Sequence, residues 1–155
     1  MLLIPKRLYN FMECLINRSI KKVGISDNYI RLIIVTTLNN FPKYKKSSFS
    51  VNLVGEKKIK TLNNLYRNKD KITDVLSFAL QDVKTPAKDL QDLGDIFICI
   101  PQIKRQAREF DVSFKEEFTR ILAHGILHLL GFDHVKELDA KKMFLFQEKI
   151  VRKIV

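Results

Sequence analysis

His124-Gly-Ile-Leu-His128-Leu-Leu-Gly131-Phe-Asp-His134 carries all three histidines of a 155-residue chain. Neutral imidazole is the commonest protein ligand for zinc, and this spacing suits one helix followed by a turn. A helix makes one turn in about 3.6 residues, so residues four apart share a face and His124 and His128 project from neighbouring turns. Gly131 is the residue that most easily takes positive φ, ending the helix and reversing the chain so that His134 returns toward the pair. Three converging nitrogens with a fourth position open make the ligand set of a catalytic zinc. Structural sites normally use four protein ligands.

The histidines and the glycine match the long zinc-protease motif H-E-x-x-H-x-x-G-x-x-H in type and spacing. The glutamate does not, because Gly125 stands where a metalloprotease has its general base. A metal here would still lower the pKa of a bound water to roughly 7, but the carboxylate that takes its proton in a peptidase is missing. Peptide hydrolysis is disfavoured.

Outward from this stretch, Ser113-Phe-Lys-Glu116 resembles a capping box that opens the histidine helix, with Phe118, Ile121, Leu122, Ile126, Leu129 and Leu130 on a face wide enough to be buried. Glu137 to Ile154 predicts a last amphipathic helix, and Pro101 sits well as the first residue of a helix reaching Phe110. Asp27 to Phe41 has helical periodicity, with Ser26 or Asp27 as N-cap, and Glu56 to Arg67 carries Ile59, Leu62 and Leu65 at helical spacing. Alternation at Phe49, Val51 and Leu53 predicts a strand. The apolar runs Asp74 to Leu80 and Gly94 to Ile100 fit buried strands, and Phe11 to Asn17 fits a short one. Gln81 to Asp92 reads as a polar surface loop. Strands fall early and between helices without strict alternation, which predicts an α+β fold: a single small mixed β-sheet covered by helices, with a zincin-like metal-binding helix. The length predicts one domain over residues 1–155, with residues 1–10 as an N-terminal extension that cannot be aligned and Met12 as an alternative start.

The composition, 46% hydrophobic, is that of a globular chain. No apolar run reaches the roughly 18 residues of a membrane span, and Lys6 and Arg7 interrupt the N-terminal Met-Leu-Leu-Ile-Pro, which excludes a signal peptide and leaves a cytoplasmic location as the expectation. Cys14 and Cys99 are too few for a disulfide framework and read as inert core thiols. The net charge is +11, with basic clusters at Lys43-Lys45-Lys46, Lys57-Lys58-Lys60, Lys69-Lys71, Lys104-Arg105-Arg108 and Lys149-Arg152-Lys153. Any one cluster reads as well as a solvated surface. Coupled to a hydrolytic metal site, the charge points to phosphodiesters rather than peptides.

Three blocks carry a resemblance to the YbeY family of bacterial endoribonucleases: Leu62 to Asp70 running into Thr73-Asp-Val-Leu-Ser-Phe78, Leu93-Gly-Asp-Ile96, and His124 to His134. Their order and spacing match across roughly residues 50 to 150. One departure is Ala79, where proline often follows the Ser-Phe pair; it bears on a strand end rather than on chemistry. The resemblance implies a zinc-dependent endoribonuclease that cleaves single-stranded RNA in ribosomal RNA maturation and ribosome quality control. It implies one Zn²⁺ per chain held by His124, His128 and His134, and a catalytic role for Arg67. Partners would be ribosomal RNA or ribosomal particles, with ribosomal proteins and assembly GTPases as protein partners and no membrane.

A guanidinium suits a phosphate because its planar fork donates two parallel hydrogen bonds, so Arg67 would clamp the scissile phosphate or stabilise charge developing on it. Asp133 reads equally as a carboxylate that fixes a ligand imidazole or as a cap for the turn after Gly131. Asp95 fits a catalytic role or a turn, and Thr73 and Ser77 fit phosphate contacts or ordinary strand hydroxyls. Attack by activated water and attack by a ribose 2′-hydroxyl both remain open. Two other readings stand beside the nuclease: a non-catalytic, metal-stabilised factor that binds ribosomal RNA, and, less favoured, a metallopeptidase.

Overall fold

The computed structural model describes residues 14–80 and 92–155. Among these, β1 (Cys14–Arg18), β2 (Ser48–Val54), β3 (Val75–Ala79) and β4 (Asp92–Cys99) form one four-stranded sheet in the order β1-β2-β4-β3. The first three of these are parallel in space, β1 to β2 and β2 to β4, while β3 runs antiparallel to β4. The helices are α1 (Asp27–Leu38), α2 (Glu56–Arg67), α3 (Ile100–Glu109), α4 (Phe114–Leu129) and α5 (Glu137–Ile154). The mixed α+β architecture is the one the sequence predicts.

Alternation on β2 decides how the layers stack. Phe49, Val51 and Leu53 point to one face and join Ile96 and Ile98 of β4 in the main core. Ile30, Ile33 and Ile34 of α1 and Phe118, Leu122 and Ile126 of α4 close that core from above. On the opposite face, Ile59 and Leu62 of α2 meet Val54, Leu76 and Cys99 in a smaller cluster. Burying a side chain of this size contributes about 1.5–3 kcal/mol, so α4 is held by its apolar face far more firmly than by intrinsic propensity. It is a central helix: even Glu117, Thr119 and Gly125 are buried on it.

Element boundaries differ from expectation where local chemistry intervenes. Helix α1 ends at Leu38, not Phe41, because Pro42 disfavours the helical conformation in the residue before it. Phe41 instead has φ −134°, and Pro42–Tyr44 forms a short 3-10 turn. The strand expected over Phe11 to Asn17 is observed as Cys14–Arg18, and Phe11 to Glu13 lie outside the described residues. Strand β4 begins at Asp92 rather than Gly94, with Asp92 opposite Ser48 and an irregularity before Ser50. Most of the expected Gln81 to Asp92 loop, and the expected extension at residues 1–10, lie outside the described residues. Ala79 ends β3, as its place after the Ser-Phe pair implies. Cys14 and Cys99 are free and buried, and burial pushes the Cys14 thiol up to about 12, which makes it inert at neutral pH. No helix among the described residues is long and apolar enough to cross a membrane.

Candidate metal centre

The histidine helix starts and stops as its sequence dictates. Ser113 Oγ accepts a hydrogen bond from Glu116 N at 3.0 Å, giving α4 its N-cap. The Glu116 side chain does not turn back toward Ser113 but binds Arg120, so half of the expected capping box is used elsewhere. At the other end Gly131 has φ +90°. Phe132 N donates to Leu127 O at 3.0 Å and Gly131 N to His128 O at 3.0 Å, the paired bonds of a Schellman stop. Phe132 then packs its ring edge-on against Phe41 (5.5 Å between centroids) and Phe146 (5.6 Å), pinning the turn that carries His134.

The three imidazoles converge. Their candidate ligand nitrogens lie within 4.8 Å of one another, with His124 and His128 half-buried and His134 exposed. Tautomers follow from the partners. His128 Nδ1 faces the Phe132 carbonyl at 3.0 Å, and a carbonyl only accepts, so Nδ1 carries the proton. His124 Nδ1 faces Gln147 Oε1 at 2.9 Å, and the amide is oriented by its nitrogen, which donates to Glu148 Oε1 at 3.2 Å. Both Nε2 atoms are therefore bare lone pairs, and they stand 3.1 Å apart. Burial lowers the pKa of His124, and burial together with the adjacent imidazoles lowers His128 to about 4, so neither ring carries a second proton at neutral pH. Two facing lone pairs repel unless they share a cation. Tetrahedral zinc with nitrogen ligands at about 2.0–2.1 Å places them about 3.3 Å apart, close to the separation here. The donor set fits a metal ion, with His134 closing it from the solvent side.

Behind the histidines runs a chain of polar contacts that joins α4 to α5. Arg120, one turn before His124, donates to Glu148 at 2.9 Å, Glu117 at 2.8 Å and Glu116 at 2.9 Å. Glu148 also accepts from Gln147, which holds His124. Motif reading misses Gln147, the residue that holds His124 Nδ1. Its signal is a polar side chain on the buried stripe of α5 beside Met143, Ile150 and Val151.

The centre opens into a cleft of about 810 Å³ lined by the three histidines, Tyr66, Arg67, Thr73, Asp74, Ser77, Phe132, Asp133 and Val135. Arg67 ends α2, exposed, where Asn68 turns the chain through the left-handed region at φ 52°. Buried Asn63 anchors the segment that follows by donating to Lys71 O at 2.8 Å. Arg67 makes no ion pair among the described residues, unlike Arg105 with Glu56 or Arg18 with Asp27. Asp133 caps the turn: its Oδ1 accepts from His134 N at 2.6 Å and Val135 N at 3.1 Å. Asp95 accepts from Ser50 and lies in a different cleft, on the sheet face away from the histidines. Thr73 donates to Asp74 at 3.2 Å and Ser77 to the Gly125 carbonyl at 3.2 Å, so both hydroxyls already have internal partners.

Gly125 has a structural reason. A Cβ there would lie 3.0 Å from Ile96 Cγ2 and 3.3 Å from Ser77 Oγ. The helix crosses the sheet so closely that any side chain here requires Ile96 or Ser77 to give way by a few tenths of an ångström.

The sequence model described as Endoribonuclease YbeY matches residues 15–155. The chain belongs to the YbeY family. The match extends well beyond the three blocks that carry the resemblance and spans all described elements from β1 onward. Among relatives named Endoribonuclease YbeY, the Ureaplasma parvum protein is 39% identical over 92% of this chain and 92% of its own length. That of Oceanobacillus iheyensis is 41% identical, covering 83% of this chain and 89% of its own. A Thermotoga maritima protein solved in solution superposes with a TM-score of 0.61 at 29% identity, over 92% of this chain and 88% of that one. YbeY membership agrees with the mixed sheet and with the histidine helix as its centrepiece.

Proposed function

We propose that this protein is a metal-dependent endoribonuclease that cleaves single-stranded RNA and serves ribosomal RNA maturation in the cytoplasm, as one domain over residues 1–155. The observation that carries the reading is the pair of deprotonated Nε2 atoms 3.1 Å apart, with a third imidazole beside them, at the base of a cleft whose rim bears an arginine with no ion pair among the described residues. His124, His128 and His134 would hold one zinc ion, since three nitrogen donors and an open side match a catalytic rather than a structural site. When bound, zinc supplies Lewis acidity toward a phosphoryl oxygen and toward water. Phe132 O and Gln147 Oε1 keep each Nδ1 protonated, so that each Nε2 faces the metal position. Arg67 would grip the phosphate and stabilise charge that grows on it, a task suited to an exposed guanidinium that has no carboxylate partner among the described residues. The +11 charge draws the polyanion in. Ribosomal particles, ribosomal proteins and assembly GTPases are the proposed partners.

The test combines metal analysis with digestion of single-stranded RNA by wild type, His124→Ala and Arg67→Ala. The reading expects about one zinc per wild-type chain, loss of metal and of cutting in the histidine variant, and loss of cutting with metal retained in the arginine variant. Undiminished cutting by His124→Ala would refute it. A folded, metal-free His128→Ala that has lost cutting but binds RNA as wild type does excludes the purely structural metal.

A further inference from the structure

Tyr66 is an aromatic residue on the cleft rim whose exposure folding does not explain. The residue is 62% exposed in the last turn of α2, where Ile59 and Leu62 are buried and the neighbouring Leu65 is exposed as well. It is not loose. Phe78 braces it edge-on with centroids 4.9 Å apart, and Phe97 braces Phe78 in turn at 5.8 Å. The hydroxyl has no partner among the described residues. Tyr66 adjoins Arg67 in sequence, and both line the cleft that holds the histidines.

A pre-ordered, solvent-facing aromatic ring beside a phosphate-binding arginine has the composition of a single-strand nucleic-acid platform, in which the cation meets the backbone and the ring meets a base. We propose that Tyr66 is a base-stacking subsite: it receives one unpaired nucleobase of the RNA next to the phosphate held by Arg67. This rests on the nuclease reading and adds to it a physical reason for single-strand preference. A base inside a duplex is stacked on its neighbours and paired, and it has no free face to offer the ring. Stacking is tolerant of base identity because every base has a π-face, so Tyr66 confers selection for unpaired RNA rather than for a sequence.

The experiment uses the metal-loaded full chain as wild type, Tyr66→Phe and Tyr66→Leu. Each cuts a set of single-stranded RNA oligonucleotides carrying one abasic nucleotide at successive positions around the cut. Leucine keeps an apolar contact for Phe78 but has no ring, and metal content and Tm verify that each variant is folded. With intact RNA, Tyr66→Leu should lower kcat/KM by about five- to 150-fold, the range that loss of base–aromatic stacking spans, and Tyr66→Phe should match wild type. In wild type one abasic position should lower kcat/KM comparably, and Tyr66→Leu should be insensitive to that position. Intact-RNA cutting by Tyr66→Leu within twofold of wild type overturns the subsite. So does a Tyr66→Phe variant as impaired as leucine, since the hydroxyl would then be the working group. Independent, multiplying effects of the variant and the abasic site overturn it as well. A zinc-loaded wild type that cuts no single-stranded RNA removes the nuclease reading itself, and the subsite falls with it.

Discussion

Replacing Gly125 by alanine sets two effects of opposite sign against each other. Alanine is favoured over glycine inside a helix by about 1 kcal/mol. The added Cβ, however, would lie 3.0 Å from Ile96 Cγ2 and 3.3 Å from Ser77 Oγ, inside the roughly 3.5–4.0 Å at which carbon atoms attract one another. Neither side yields readily. Ile96 is fully buried and β-branched, which restricts its rotamers, and α4 is packed around most of its circumference. Overpacking of this kind costs about 1–3 kcal/mol. The expected balance is a net loss of about 1 kcal/mol, or roughly 2–4 °C in Tm for a chain of this length. Urea denaturation of the chelated protein measures it, and a double-mutant cycle identifies the cause. In an Ile96→Ala background the obstructing methyl is gone, so Gly125→Ala should there become stabilising by about 1 kcal/mol. If Gly125→Ala stabilises the parent protein by that amount, α4 does not press on β4 as described. Gly125→Glu, which would restore the protease motif, should yield insoluble protein without peptidase activity, because an ionised carboxylate would be buried against Ile96.

Gln147→Leu removes the acceptor that orients His124, and zinc affinity should fall about 10–100-fold in a calorimetric titration; unchanged affinity would show that the ring is held by packing alone. Gly131→Ala places a Cβ at φ +90°, and denaturation should reveal a loss of about 1–2 kcal/mol, accompanied by weaker metal binding because the turn delivers both Phe132 O and His134. The Arg120 guanidinium holds Glu148 below its ordinary carboxylate value of 4.5. A depressed carboxyl stabilises the fold above its unfolded pKa and loses that contribution as pH falls through its folded pKa. Glu148→Gln should therefore be less stable than wild type near neutral pH, with the difference disappearing well below pH 4.5; a gap that persists in acid would mean that the ion pair is not its source.

The histidine cluster and its geometry are legible in the chain because they are local. The four-residue spacing of His124 and His128 is fixed by helical pitch, and Gly131 fixes the reversal through the one backbone region that side chains disfavour. Helices α2 and α5 appear at the predicted limits for the same reason, since a periodic apolar stripe is a property of consecutive residues. Boundaries set by a neighbour were less legible. The sequence pattern extends helix α1 to Phe41 because its apolar ring reads as one more helical residue, whereas Pro42 and the Phe132–Phe146 pair claim it for the turn.

Other assignments needed the fold. Asp133 and Asp95 are equivalent in sequence terms, yet one caps the histidine turn and the other lies across the sheet with Ser50. Gln147 reaches His124 only because α5 packs on α4, and Arg67 reaches the cleft only because the end of α2 meets the open side of the histidine turn. Gly125 reads from sequence as a missing base, and its positive cause, the approach of Ile96, appears only once helix and sheet are stacked. The chain alone determined which imidazoles lie together, because pitch and handedness act over a few residues. Tertiary structure decided what surrounds them, since burial, tautomer and the choice of partner depend on atoms distant in sequence that meet only after the core has closed.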